Sequence, residues 1–115
     1  MEPGGIARTP EPPYYAVIFT SLQTGDQAGY DEASARMLEL AAGMPGFLGV
    51  EAARARLGLT VSYWADLASI AAWKRDAEHA ATQSKGRRLW YAHYATRIAL
   101  VERDYSFERP GGAAD

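Results

Sequence analysis

The 115-residue chain contains no cysteine, which removes disulfide frameworks, thiolate nucleophiles and thiolate metal sites at once. Histidine is nearly as scarce: His79 and His93 are the two in the chain, so few side chains can exchange a proton near neutral pH with an unperturbed pKa. No run approaches the ~18 apolar residues of a membrane span, and the opening MEPGGIARTPEPP has no apolar segment of the signal-peptide kind. A cytoplasmic location is therefore expected, with no membrane partner. Charge of one sign is lacking too. Twelve basic residues face fourteen acidic ones for a net charge of −2, leaving no basic footprint for nucleic acid. The densest basic run, Lys85-Gly86-Arg87-Arg88, reads as a solvated helix face. No glycine-rich phosphate loop follows a strand, which disfavours nucleotide cofactors. A set such as Glu78, His79 and His93 has no recognisable ligand spacing, so no metal is expected.

What remains is an ordinary globular composition, 48% hydrophobic and 23% charged, at the size of a single domain. Residues 1–13 hold four prolines and two glycines and read as a disordered arm, as does the tail 108–115. The domain between them, 14–107, changes period in a definite order. Tyr14–Leu22, rich in β-branched and aromatic residues, predicts a strand. After Thr24-Gly25-Asp26, a helix starting at Asp26 or Gln27 carries Tyr30, Ala33, Met37, Leu40, Ala41 and Met44 on one face, and Gly43-Met44-Pro45-Gly46 ends it. Phe47–Leu57 and Leu59–Ala65 flank Gly58 as a hairpin, although Glu51–Arg56 is equally helical by propensity. Asp66 is a good N-cap for a helix from Leu67 that hesitates at Asp76-Ala77 and resumes over Glu78–Tyr91. Tyr94–Phe107 alternates as the last strand.

This order is β-α-β-β-α-β with one extra helical segment: an α+β, ferredoxin-like fold, an antiparallel sheet with its helices on one face. Val17 and Phe19 fall on one face of the first strand and Ile18 and Thr20 on the other; Ile98 and Leu100 oppose Ala99 and Val101 in the last. Apolar residues on both faces imply a sheet covered on both sides. The chain's helices cover one side, so a homodimer with sheets packed face to face is expected.

The segment Ser62–Tyr91 concentrates all three tryptophans, Trp64, Trp73 and Trp90, with His79. Its composition fits either a heavily aromatic core or an aromatic-lined pocket. His79, Gln83, Gly86 and Trp90 are spaced by four, three and four and share one helix face. If that face lines a pocket, His79 is a hydrogen-bonding or proton-transfer group, Gln83 a polar anchor, and Gly86 a point of close backbone approach. Otherwise His79 caps a helix junction and Trp90 fills core. Trp73 reads as packing or as a pocket wall. Tyr63 and Trp64 point to opposite faces, one towards the helices and one towards a partner protomer. His93, near a helix-to-strand turn, is expected to face solvent.

The chain also resembles the antibiotic biosynthesis monooxygenase (ABM) domain family of dimeric α+β barrels. The residues that carry the resemblance are Tyr15-Ala16-Val17-Ile18-Phe19, Met44-Pro45-Gly46-Phe47, Ser62-Tyr63-Trp64, Ala72-Trp73-Lys74 through Glu78-His79, Gly86-Arg87, Trp90-Tyr91, Tyr94 and Val101-Glu102-Arg103. The resemblance implies a pocket in each protomer between helices and sheet, often for a flat aromatic compound. It further implies oxygenation of an electron-rich phenol without a cofactor, for which a histidine or tyrosine that hydrogen-bonds the phenol suffices as the acid–base group; the residues read above supply His79 as the catalytic candidate and Trp73, Gln83, Trp64, Gly86 and Trp90 as substrate-binding candidates. A non-catalytic small-molecule binder, or a stress-associated dimer on the same scaffold, is the alternative reading. Haem-degrading relatives carry an Asn on the first strand and a Trp and haem-ligating His ten residues apart. Here the strand has no Asn, and Gln83 stands ten residues after Trp73, so haem binding is not expected.

Overall fold

The computed structural model describes residues 5–84 and 87–111, with side chains 78–88 outside that description. The elements run β1 (Tyr14–Gln23), α1 (Tyr30–Ala42), β2 (Phe47–Arg54), β3 (Gly58–Trp64), α2 (Leu67–Ser84), α3 (Arg87–Trp90) and β4 (Tyr91–Val101). The four strands form one antiparallel sheet in the order β2-β3-β1-β4. The expected ferredoxin-like α+β architecture is what the chain adopts. β1 sits between two neighbours, which suits its β-branched and aromatic composition and its apolar residues on both faces.

Several boundaries differ from expectation for identifiable reasons. α1 starts at Tyr30, not at Asp26 or Gln27, behind Gly29 at φ 78°. The intervening polar groups serve a turn: Asp26 N–H donates to Thr24 Oγ1 and Ala28 N–H to Asp26 Oδ1, while Gln27 Nε2 donates to Thr24 O and Trp90 O. Gly58, expected as the hairpin turn, is instead the first residue of β3, paired with Arg54 on one side and Ser21 on the other. The helix-prone Glu51–Arg54 is held extended by its ladder with β3. α2 runs unbroken through Asp76-Ala77, and Ser69 N–H donates to Asp66 Oδ1 at 2.7 Å, the N-cap bond anticipated for Asp66. β4 begins at Tyr91 and stops at Val101 rather than Phe107, because Val101 pairs with Tyr14, the first residue of β1. Beyond that register no strand remains to accept the chain.

The buried centre lies between the helices and one sheet face. Ala41, Trp64 and Ile70 form it, with Tyr15, Val17, Met44, Phe47 and Trp73 packed around them. On the opposite sheet face Tyr14 and Ala16 are buried beside the segment that precedes β1. Ala7 N–H donates to Glu51 Oε2 at 2.9 Å, and Thr9 Oγ1 donates to the Tyr14 hydroxyl. That hydroxyl donates in turn to Asp104, and Arg8 meets Glu108 at 3.1 Å. Tyr63 donates to Glu51 at 2.6 Å and meets the Tyr14 ring edge-on. Burial foremost, and the neighbouring Glu51 carboxylate, push the Tyr63 phenol well above its ordinary value.

Candidate functional site

The strand register arranges the helix-side residues of the sheet in rows that cross all four strands. Val50, Ser62, Val17 and Ile98 make one row; Ala52, Thr60, Phe19 and Thr96 the next; Arg54, Gly58, Ser21 and Tyr94 the third. Over these rows lie Ala33, Ser34, Met37, Leu38 and Ala41 of α1 and Ile70, Trp73, Lys74 and Ala77 of α2, and between the two layers is a cavity of about 570 Å³. Its lining positions on each helix recur at three and four residues, the stripe of an amphipathic helix facing a sheet. The stripe here does not close fully onto the strands. Ile98 of β4 stays 52% exposed although it lines the cavity, so the space is open along that edge.

Seven of the described lining residues are aromatic: Phe19, Tyr30, Phe47, Trp73, Trp90, Tyr91 and Tyr94. Phe19 and Tyr94 have centroids 5.3 Å apart, Phe19 and Tyr91 5.5 Å, and Tyr30 packs edge-on against both Trp90 and Tyr91. Tyr30 and Trp90 join α1 to α3 across the cavity end, and Trp90 is fixed there by donating its indole N–H to Ala28 O at 2.9 Å. Uncharged hydroxyls of Ser34, Thr60, Ser62 and Thr96 dot the surface, and Lys74 is the charged residue among the described lining. Such a space, largely apolar with several aromatic rings and few polar anchors, has the make-up of a small-molecule pocket.

The residues singled out from the sequence fall in different places. Trp73 and Trp90 line the cavity. Trp64 is fully buried, stacked behind Trp73 at 6.0 Å with its indole N–H on Ser62 Oγ; it supports the wall instead of forming it. Gly86 and the side chains of His79 and Gln83 lie outside the described residues, although positions 79 and 83 fall within α2. His93 is exposed on β4. Among the described residues no cluster of His, Asp or Glu could hold a metal ion. Phe19, Tyr30, Tyr91 and Tyr94 were not singled out as site residues. Strand alternation already put Phe19 beside Val17 on one face, but which face met the helices depended on a register that only the folded sheet supplies.

A family model described as antibiotic biosynthesis monooxygenase matches residues 13–85, more than half of the chain. The chain belongs to this family. A Bacillus subtilis relative, the uncharacterized protein YqjZ, is 49% identical over 105 residues, covering 90% of this chain and 92% of its own. Solved structures of similar fold include a Shewanella oneidensis protein (TM-score 0.66, 11% identity, 86% of this chain and 100% of the other). Another is SnoaB, a cofactor-independent oxygenase from Streptomyces nogalater (TM-score 0.57, 16% identity, 83% and 97%). At these identities the likeness to the solved structures is one of fold. It places the layer between helices and sheet, where the cavity lies, in a shared architecture.

Proposed function

We propose that this ABM-family protein is a cofactor-independent monooxygenase that oxidises a flat, electron-rich phenolic compound bound between the helices and the sheet. The aromatic-walled cavity is the observation that carries the reading, and the fold it shares with a cofactor-independent oxygenase supports it. The demands on the protein are modest. It must desolvate the phenol, favour its anion, and hold that electron-rich ring for encounter with O₂. One oxygen atom then enters a ring carbon and the other leaves as water, with the electrons supplied by the substrate. Stacking on Trp73 and Tyr94 holds the ring flat. His79 is the candidate acid–base residue from the sequence; the hydroxyls of Tyr30, Tyr91 and Tyr94 are the candidates that the cavity adds.

The proposal includes a homodimer. Ile18, Val61 and Leu59 form an apolar strip on the sheet face away from the helices, and Leu59 is 43% exposed. A second copy packed on that strip completes the two-sheet arrangement.

An oxygen electrode and a panel of hydroxylated anthracenes test the catalytic reading. Wild-type protein free of added metal and flavin should consume oxygen, and the variant that removes the base, His79→Ala or Tyr94→Phe, should lower turnover by roughly 10²-fold with binding less affected. Ligand binding without oxygen uptake anywhere in the panel would overturn catalysis and leave a small-molecule binder.

A further inference from the structure

The third row of the helix-side sheet face has an arrangement that the proposed phenol chemistry does not use. Arg54, at the end of β2, sends its guanidinium across β3 and donates from Nη2 to Ser21 Oγ on β1. The crossing is possible because Gly58 lies in between. A Cβ built there would stand 2.0 Å from Arg54 Nη2, 2.2 Å from Cζ and 2.8 Å from Nε. Gly58 needs no unusual backbone angle, since its φ is not in the left-handed region; what the position requires is the missing side chain. Ser21, which receives the guanidinium, is itself 2% exposed. An exposed arginine ordinarily keeps its long side chain disordered, and holding it in one geometry is entropically unfavourable. Here a bare glycine and a buried serine fix it, yet among the described residues no carboxylate pairs with it.

Arg54 and its acceptor Ser21 are not among the residues that line the cavity, but their row leads to the cavity. Tyr94, across from Ser21 in the same row, lines it, as do Thr60 and Phe19 one row further, about 7 Å away along the strands. The described lining contains Lys74 and no Asp or Glu. A planar guanidinium held with donors to spare is suited to a carboxylate, which it can meet through two parallel hydrogen bonds.

We infer that the cavity takes an aromatic carboxylate, its ring between Trp73 and Tyr94 and its anionic group on Arg54. This inference rests on the cavity being the ligand site, and it names the ligand's second functional group. Gly58 and Ser21 are positioning residues: they hold the guanidinium and do not touch the ligand.

Isothermal titration with 2-naphthoate and with its neutral counterpart 2-naphthamide tests it. Wild type should bind the acid about tenfold or more tightly than the amide, the range of a charge-assisted hydrogen bond. Arg54→Met should bring the two affinities together with the amide unchanged, and Arg54→Lys should recover part of the preference. Gly58→Ala keeps the charge and evicts the guanidinium from its lane, so it should lose the preference as well, with wild-type circular dichroism as the check on folding. Equal binding of the two probes by wild type, or a preference that survives in Arg54→Met and vanishes in Lys74→Met, overturns the assignment and leaves the cavity as a site. Binding of neither probe overturns both.

Discussion

Gly46 fixes how α2 meets the hairpin, and replacing it with alanine should be severe. Its φ is +85°, in the region that disfavours a side chain by roughly 1–2 kcal/mol. An added Cβ would also lie 2.1 Å from Ser69 Oγ and 2.7 Å from Ser69 Cβ. The hydroxyl can rotate away, but the Cβ can retreat only by moving the first turn of α2, where Ser69 N–H bonds Asp66. Overpacking of that kind adds about 1–3 kcal/mol, so the total is roughly 2–5 kcal/mol. For a domain of this size that lowers the thermal midpoint by roughly 8–20 °C. Urea unfolding followed by far-UV circular dichroism gives the free energy, and a double-mutant cycle with Ser69→Gly separates the two causes. The clash should disappear from the double variant while the backbone part remains. A loss below about 1 kcal/mol for Gly46→Ala, or coupling between the two sites within about 0.5 kcal/mol of zero, would refute this account.

Asp66 is held below the usual carboxylate range by the Ser69 backbone N–H, with the Ser69 hydroxyl adding to it, so its contribution is present above the unfolded pKa and fades as pH falls through the folded one. Asp66→Ala should therefore melt earlier than wild type at pH 7, and the two melting curves should converge in acid. The Tyr63 phenol is raised instead, so it stabilises the fold below its ordinary value of 10.0 and loses that effect as pH climbs beyond it. In urea titrations the wild-type midpoint should drop above pH 10 more steeply than that of Tyr63→Phe; parallel curves would contradict a phenol raised by burial and by Glu51. Sedimentation of wild type should give a mass near twice 12.5 kDa, and Leu59→Asp should give the monomer; a monomeric wild type would remove the case for packed sheets.

Much of the fold is legible in local pattern. β1 announces itself by composition, α1 by the three- and four-residue recurrence from Tyr30 to Met44, and the N-cap at Asp66 by residue type. What pattern misses is decided by pairing at a distance. Gly58 reads as a turn until its partners Arg54 and Ser21 are known, and the end of β4 follows from where β1 begins. The site divides in the same way. Trp73 and Trp90 stand out by rarity, whereas Tyr94 comes to the cavity, and Arg54 to Ser21, only through a register that joins residues 33 to 73 positions apart. The proline-rich composition of residues 1–13 conveys nothing of the Ala7 and Thr9 hydrogen bonds, because their acceptors are Glu51 and Tyr14.

The contacts of Arg8 with Glu108 and of Thr9 with Asp104 close the backbone into something near a ring. The ion pair is solvent-exposed, with side chains 85% and 65% accessible, and by itself stabilises little; its significance is topological. Where the two flanks of a domain run side by side, the order in which its elements are synthesised is not a requirement of the fold, and circular permutation is tolerated at such places. A short linker from the segment after β4 to the segment before β1 would let the chain be opened at another exposed turn while β1 keeps its central place. The same adjacency puts the segments flanking the sheet at its Tyr14–Val101 end, the length of β1 away from the row of Ser21 and Tyr94.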